Sequence, residues 1–249
     1  MFMPRIHVME KSYETGLVIF DKDGTLLDFK ETWLSIIADL LHAIDAYQPM
    51  TTALQTRIEH ALGIYVDTGE IDGYGPLAMG TFSESNALLT YCLYIEGQRW
   101  DRAQHIVDVV GKEVFSSAKR QQNVQAAPGA LELLKTLKSR GIITAVATND
   151  KRSDALIDMD FIGASPYIDL VVGADSVENA KPAPDMVNLI CSELGTSSKE
   201  SVLVGDTIMD ALLGKNSGVM LTIGVIGIVP GEVLKEHVDV VVSSLEDIS

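Results

Sequence analysis

The apolar and polar residues of the chain follow two different periods, and the change between them divides the sequence into three stretches. The first stretch ends in Leu17-Val18-Ile19-Phe20, an uninterrupted apolar run that is typical of a strand buried on both faces of a parallel sheet. After Asp28 the apolar residues recur at helical spacing, and helices are predicted over residues 29–44, 54–62, 83–94 and 102–115. No buried strand is predicted between these helices.

In the third stretch, from Pro128 onward, predicted helices and strands alternate strictly. Pro128 suits the first turn of a helix, and Gly141 lies where that helix is expected to end. Strands are then predicted over residues 142–148, 170–172, 202–204, 220–223 and 238–242, and helices over residues 153–160, 185–194, 210–216 and 232–235. Repeated strand-helix units with buried strands predict an α/β fold with a doubly wound parallel sheet, to which the first strand also belongs.

The helical stretch interrupts the predicted sheet-forming core. The core comprises residues 1–28 and 119–249, and the inserted α-helical domain comprises residues 29–118. Within the insertion, residues 67–76 contain several glycines and end in a proline, so no regular structure is expected there. We interpret this segment as a surface loop.

The composition is that of a folded globular protein. Hydrophobic residues make up 47% and charged residues 22% of the 249 residues, which argues against extended disorder. The net charge of -16 would repel phosphate backbones and anionic lipid surfaces, so neither nucleic acid nor a membrane is an expected partner. The longest apolar stretch, residues 219–229, is too short to span a bilayer. The N-terminal residues lack the pattern of a secretory signal, and a cytoplasmic location is expected.

Polar side chains follow the predicted strands at the edge where parallel strands have their carboxyl ends. Asp21 and Asp23 come directly after the first strand, and Gly24 allows a tight turn beside them. Two close carboxylates repel each other, so a cation is expected nearby. Taken alone, this segment is also compatible with a solvated turn, because Asp and Gly are common turn residues. The polar residues that follow later strands or lie between them are Thr148, Asn149, Lys181, Asp206 and Asp210.

These residues resemble, in order and spacing, the four motifs of the haloacid dehalogenase superfamily. The matching segments are Asp21-x-Asp23-Gly24-Thr25-Leu26-x-Asp28, Thr148-Asn149, Lys181-Pro182 and Gly205-Asp206-Thr207-x-x-Asp210. Pro128-Gly129 and residues 214–218 also resemble the phosphoglycolate phosphatase-like members of that superfamily. The resemblance extends over the whole chain and implies a Rossmann-like catalytic core with the inserted helices as a mobile cap.

The resemblance implies a role for each aspartate. Asp21 would attack phosphorus and form an aspartyl-phosphate intermediate. Asp23 would protonate the leaving oxygen and then take a proton from the hydrolytic water. A Mg²⁺ ion would be held by Asp21, the backbone carbonyl of Asp23 and Asp206, with Asp210 bound directly or through water.

The remaining motif residues would bind the phosphoryl group. The resemblance implies that Thr148 donates a hydrogen bond to a phosphoryl oxygen and that Lys181 offsets negative charge. Backbone amides near Asp23, Gly24 and Asn149 would complete this phosphate-binding cradle. Simpler explanations exist for single residues: Thr148 can be an ordinary end of a strand, Lys181 a solvated loop lysine, and Asp210 a residue of a helical first turn. Helix capping explains Asp28, which we leave out of the site.

Asp23, the second aspartate of the first motif, distinguishes between the reactions known for the superfamily. Its dehalogenases lack this residue because a halide leaves without a proton, so Asp23 favours phosphate chemistry. The resemblance therefore implies an enzyme, a magnesium-dependent phosphatase that hydrolyses a small phosphorylated metabolite such as a phosphoglycolate-like compound or a sugar phosphate. A phosphomutase, a phosphonatase and a non-catalytic binding protein are the alternatives. For the phosphonatase, which needs a cap lysine, neither Lys30 nor Lys112 has a supporting neighbourhood.

The cap would determine which substrate is accepted. Residues 68–80 are the candidate specificity segment, although they contain no lysine or arginine that would bind a second anionic group. A plain connection between helices is an equally good interpretation of this segment. Some related proteins pair through their caps, so a homodimer stays open, although no isolated surface patch in the sequence predicts one.

Overall fold

A computed structural model of the chain describes residues 4–115 and 123–249. The contacts within the chain separate two compact units. One unit comprises Met1–Phe29 and Gln125–Ser249, and the other comprises Lys30–Val124. The predicted boundary between residues 118 and 119 lies outside the described residues.

Strands and helices alternate in the first unit, and helices predominate in the second. The strands are β1 (Arg5–Val8), β2 (Lys11–Glu14), β3 (Leu17–Phe20), β4 (Ile64–Tyr65), β5 (Glu70–Ile71), β6 (Ile143–Ala147), β7 (Leu170–Val172), β8 (Ser201–Gly205), β9 (Leu221–Val225) and β10 (Val240–Val242). The helices are α1 (Phe29–Asp45), α2 (Thr52–Leu62), α3 (Pro76–Met79), α4 (Phe82–Ile95), α5 (Trp100–Val114), α6 (Ala130–Ser139), α7 (Arg152–Phe161), α8 (Asp185–Leu194), α9 (Ile208–Ser217) and α10 (Gly231–Leu234).

The centre of the first unit is a parallel sheet of six strands in the order β10-β9-β8-β3-β6-β7. Strand β3 lies in its middle, where Ile19 pairs with Ala145 on one side and with Leu203 on the other. Every residue of β3 is buried, as its uninterrupted apolar sequence predicts. The strand order runs outward from β3 in both directions, so the sheet is doubly wound and the predicted α/β fold class is confirmed.

Helices cover this sheet with apolar faces. Met186, Val187 and Ile190 of α8 form one buried cluster with Leu17 and Ile19 of β3. These three helical residues are spaced so that they share one side of the helix. The strand ends on which the site depends are therefore held by a well-packed core.

The helical unit differs from its prediction in one segment. Residues 67–76 were expected to lack regular structure, and this prediction is wrong because they contain β5 and the start of α3. Ile71 of β5 pairs with Ile64 of β4, and Gly69 supplies the positive φ of 68° in the turn between them. Pro76 occupies the first turn of α3, a position in which its missing N–H costs nothing.

Two further differences concern the first unit. The prediction that Pro128 begins a helix is wrong: α6 starts at Ala130, because Gly129 before it has a φ of 79° that a helix cannot continue. The hairpin of β1 and β2 has no counterpart among the predicted elements. Its first strand is bridged to Ile248 near the other end of the chain, a contact that no local pattern reveals. Among the described residues, no helix combines the length and apolar character that crossing a membrane requires.

Candidate active site

Asp21 lies directly after β3 and is held from two directions. Its backbone N–H donates a hydrogen bond of 2.8 Å to the carbonyl oxygen of Val204, which continues the pairing of β3 with β8. Its carboxylate accepts a hydrogen bond from the ammonium of Lys181. The same ammonium donates to Asp210 Oδ1 at 2.6 Å. All three side chains are buried, so this ion cluster is shielded from solvent.

The glycine turn after Asp23 brings the first and last motifs into contact. Gly24 has a φ of 85°, and its N–H donates to the carbonyl oxygen of Leu27 at 2.9 Å. A Cβ atom at this position would lie 2.1 Å from Asp206 Oδ2, so any side chain would displace that carboxylate. Thr25 Oγ1 donates to the other carboxylate oxygen, Asp206 Oδ1, at 3.2 Å. Glycine is therefore required here by conformation and by space.

Asp210 belongs both to the site and to the N-terminal cap of α9. Thr207 is the N-cap residue, and its N–H and hydroxyl donate to Asp210 Oδ2 at 3.1 and 2.6 Å. The hydroxyl of Thr207 also accepts from the Asp210 N–H at 3.4 Å, which completes a capping box. Asp210 therefore lies in the first turn of α9, with one carboxylate oxygen in the helix cap and the other on the Lys181 ammonium.

Thr148 and Asn149 follow β6, and Asn149 contacts the loop that contains Lys181. The N–H of Thr148 donates to Val172 at 3.0 Å, and its buried hydroxyl accepts from the Asp150 N–H at 3.1 Å. The side-chain oxygen of Asn149 accepts from the backbone N–H of Lys181 at 3.2 Å. Asn149 therefore fixes the backbone from which the Lys181 side chain extends.

Asp23 contacts a different cation from Asp21. The ammonium of Lys22 lies 2.7 Å from Asp23 Oδ2, and it also contacts Asp150 at 3.0 Å and Asp158 at 2.8 Å. Lys22 is the unspecified residue of the Asp-x-Asp motif, and the sequence did not single it out. The only available signal was its position between two aspartates at the end of a buried strand.

Burial and mutual repulsion shift the pKa values of this cluster. Burial, opposed by Lys181 and reinforced by Asp210, raises the pKa of Asp21 to about 7. Burial and the charges of Asp21 and Asp210 raise the pKa of Asp206 well above its usual range. Burial also raises the pKa of Asp23, with Lys22 opposing the shift. Burial lowers the pKa of Lys181, but its two carboxylate partners outweigh this effect and the net change is upward.

The carboxylates of Asp21, Asp206 and Asp210 suit a divalent cation. One oxygen from each lies within 4.8 Å of the others. Among the described residues, Asp206 Oδ2 is buried without a hydrogen-bond partner, which is costly for an ionised oxygen. Lys181 offsets only one of the three negative charges. A hard cation that prefers oxygen ligands, such as Mg²⁺, would satisfy the orphaned oxygen and the remaining charge.

A protein-family model described as haloacid dehalogenase-like hydrolase matches residues 15–218 of the chain. The chain belongs to the haloacid dehalogenase-like hydrolases. The matched range contains all four segments that carry the resemblance seen in the sequence, and the membership confirms that resemblance.

Several known proteins are similar to the chain over most of its length. Pyrophosphatase PpaX from Bacillus pumilus is 29% identical over 233 residues, which cover 93% of each protein. The probable phosphatase IndB from Dickeya dadantii is 32% identical over 210 residues, 84% of this chain and 80% of the relative. The crystal structure of a predicted phosphoglycolate phosphatase from Haemophilus somnus has a TM-score of 0.68 at 17% identity, covering 94% of this chain and 96% of that one, and shows the shared fold.

The structure of this hydrolase brings four of the predicted site residues of the core into one cluster and places two more, Gly24 and Asn149, against it. Asp21, Lys181, Asp206 and Asp210 form one cluster, to which Asn149 is joined through the Lys181 backbone. Asp23 adjoins it in sequence but pairs its carboxylate with Lys22. The sequence did not single out Lys22, Asp150 or Asp158.

Proposed function

We propose that this hydrolase is a magnesium-dependent phosphatase that cleaves a small phosphorylated metabolite through an aspartyl-phosphate intermediate. The observation that carries the proposal is the buried cluster of Asp21, Lys181, Asp206 and Asp210 at the carboxyl ends of β3 and β8. A nucleophilic carboxylate, a fixed ammonium and a cation site at one point are the components that phosphoryl transfer needs.

In the first half of the reaction, an oxygen of Asp21 attacks phosphorus. The new bond joins this oxygen to phosphorus, and the bond from phosphorus to the ester oxygen breaks. Asp23 donates a proton to the departing oxygen, so that an alcohol leaves instead of an alkoxide. Lys181, whose ammonium already contacts Asp21, and the hydroxyl of Thr148 stabilise the negative charge of the transferring group.

In the second half, water hydrolyses the aspartyl-phosphate. Asp23, now ionised, takes a proton from the water as it attacks phosphorus, and the bond between Asp21 and phosphorus breaks. Inorganic phosphate leaves, and both aspartates return to their starting protonation states. The raised pKa of Asp23 suits a group that donates and accepts a proton in turn.

The carboxylates of Asp21, Asp206 and Asp210, together with the backbone carbonyl of Asp23, would hold the Mg²⁺ ion. Bound there, the ion supplies positive charge that offsets the phosphate and the crowded carboxylates. Thr25 and Thr207 orient two of these ligands through their hydroxyl groups. Such outer contacts fix ligand direction before the cation binds.

The name of one relative adds a candidate to the substrates. This relative is called a pyrophosphatase and matches 93% of this chain, so pyrophosphate is a second candidate beside phosphate monoesters. The charge of -16 is the reason for proposing a small substrate and not a nucleic acid. The helical unit would act as the cap, and residues 68–80 would be the segment that determines specificity. We propose a cytoplasmic location for the enzyme.

The proposal is tested by measuring phosphate release from phosphoglycolate, sugar phosphates, nucleotides and pyrophosphate, with Mg²⁺ and with a chelator. We expect turnover of at least one compound that requires the metal and stops on chelation. Analysis of the organic product distinguishes hydrolysis from a mutase reaction, which would yield an isomeric phosphate and no free phosphate. A folded wild type that is inert on the whole panel with Mg²⁺ would exclude the phosphatase function.

A further inference from the structure

The site contains a second buried lysine that the proposed reaction does not use. The side chain of Lys22 is 1% exposed, and its ammonium lies within 3.0 Å of three carboxylates. These belong to Asp23, to Asp150 after β6 and to Asp158 on α7. An ion cluster in a buried position is weak support for stability, since losing water costs as much as the pairing returns. A role in orienting one of its members is the better explanation.

Each of the two buried lysines contacts a different aspartate of the first motif. Lys181 contacts Asp21, the proposed nucleophile, and Lys22 contacts Asp23, the proposed acid and base. Each lysine is also paired with an aspartate on a helix, Asp210 on α9 for Lys181 and Asp158 on α7 for Lys22. Each functional carboxylate is therefore tied to a rigid element through an ammonium group.

The backbone around Lys22 is fixed as firmly as its side chain. The carbonyl oxygen of Lys22 accepts hydrogen bonds from the N–H groups of Leu26 and Leu27 at 3.0 and 2.9 Å. Asp158 is fully buried, so its carboxylate is a fixed anchor for the ammonium. Lys22 thus connects a closed turn, a helix and the Asp23 carboxylate.

Resting on the proposed function, we propose that Lys22, anchored by Asp158, is a positioning residue that orients the Asp23 carboxylate for proton transfer to the leaving group. A proton donor works only within hydrogen-bond reach of the oxygen it protonates. A displacement of about 1 Å costs roughly 100-fold in rate. Loss of Lys22 therefore weakens the proton transfers of Asp23, of which only the first depends on the leaving group, and leaves the attack by Asp21 in place.

The test compares kcat and KM over a series of aryl phosphates whose leaving phenols range from 4-nitrophenol to 4-methylphenol. The main variant is Lys22→Met/Asp158→Asn, which removes one positive and one negative charge and so keeps the formal charge of the buried cluster. Lys22→Met alone and Asp23→Asn are measured beside it. Lys138→Met is the matched control, because Lys138 is also ion-paired with an aspartate but lies on α6. Circular dichroism verifies that each variant is folded.

We expect the double variant to lose kcat/KM, which reports the steps up to departure of the phenol, about tenfold more on the poorest leaving group than on 4-nitrophenyl phosphate. Asp23→Asn should show the same trend more strongly, and Lys138→Met should show none. A purely structural role would lower all rates by one factor. An unchanged dependence on the leaving group in the double variant, beside a steeper one in Asp23→Asn, would overturn the role of Lys22 alone. An inert wild type would overturn the phosphatase function, and the role of Lys22 with it.

Discussion

At the scale of the residue, the site depends on close approaches between side chains that lie far apart in the sequence. Lys181 bridges Asp21 and Asp210, and Gly24 leaves the space that the Asp206 carboxylate fills. Each contact joins different segments of the chain. Single substitutions at these positions therefore test which contacts serve catalysis or metal binding and which serve the stability of the fold.

Replacing Asp21 with asparagine should abolish turnover and leave the fold intact. Asparagine has the same shape but cannot form the aspartyl-phosphate, so we expect kcat to fall by about a thousandfold or more. Because burial already disfavours the charged form of Asp21, the neutral amide should not lower the thermal unfolding midpoint. Asp160→Asn, at an exposed position of α7, serves as the control and should keep full activity. Comparable activity in both variants would contradict the assignment of Asp21 as nucleophile.

Replacing Gly24 with alanine should abolish metal binding and also lower the free energy of unfolding. The added Cβ would meet Asp206 Oδ2 at 2.1 Å and the backbone would be strained at a φ of 85°. Gly141→Ala is the matched control, because Gly141 has a similar φ of 74° but open space around its Cβ position. We expect the control to cost about 1 kcal/mol of unfolding free energy, as left-handed strain alone does. Gly24→Ala should cost more and abolish Mg²⁺ binding measured by calorimetry; equal effects of the two substitutions would contradict the close approach.

At the scale of the element, the local pattern predicted most strands and helices because periodicity and capping are local properties. Strand β7 and helix α8 begin and end at the predicted residues. The hairpin of β1 and β2 could not be predicted, because Met9 and Val8 are held by residues at the other end of the chain. The hairpin of β4 and β5 was hidden by glycines that indicated only a loop.

The capping box of α9 gives a test at this scale. Thr207→Val removes the hydroxyl that caps the helix and contacts Asp210, so the unfolding free energy should fall by about 1 kcal/mol. The same substitution at Thr81 breaks the equivalent capping box of α4, far from the sheet in sequence, and should cost a similar amount. Only Thr207→Val should also weaken Mg²⁺ binding, because Asp210 then loses its orienting contact. Unchanged Mg²⁺ affinity in Thr207→Val, measured by calorimetry, would show that the box serves the helix alone.

At the scale of the whole molecule, three carboxylates are buried close together in a protein whose net charge is already -16. The ammonium of Lys181 contacts two of these carboxylates, those of Asp21 and Asp210. A molecule with this site should be more stable with a divalent cation than without it, because the cation binds only the folded chain.

Mg²⁺ should raise the thermal unfolding midpoint, and the shift should be larger near pH 8 than near pH 6. Asp21, with its pKa raised to about 7, is largely protonated at the lower pH in the metal-free folded protein, so protons compete with the cation. The stability of the metal-free protein has the opposite pH dependence. The pKa of Asp21 is higher in the folded than in the unfolded chain, so this group stabilises the folded state at low pH, and the contribution is lost as the pH rises through about 7. Calorimetry with and without chelator measures both effects. Asp206→Asn should remove most of the Mg²⁺ shift, and an undiminished shift would place the cation elsewhere.

The sequence by itself determined the α/β fold, the strands of the parallel sheet and the polar residues at their carboxyl ends. These follow from local periods and from the rule that parallel strands end at a common edge. Only the tertiary structure decided that Lys22 reaches Asp158, 136 residues away, and that Thr25 and Gly24 enclose Asp206, which lies 181 residues after Thr25. Such contacts depend on side-chain direction and on space in the folded core. A one-dimensional pattern contains neither.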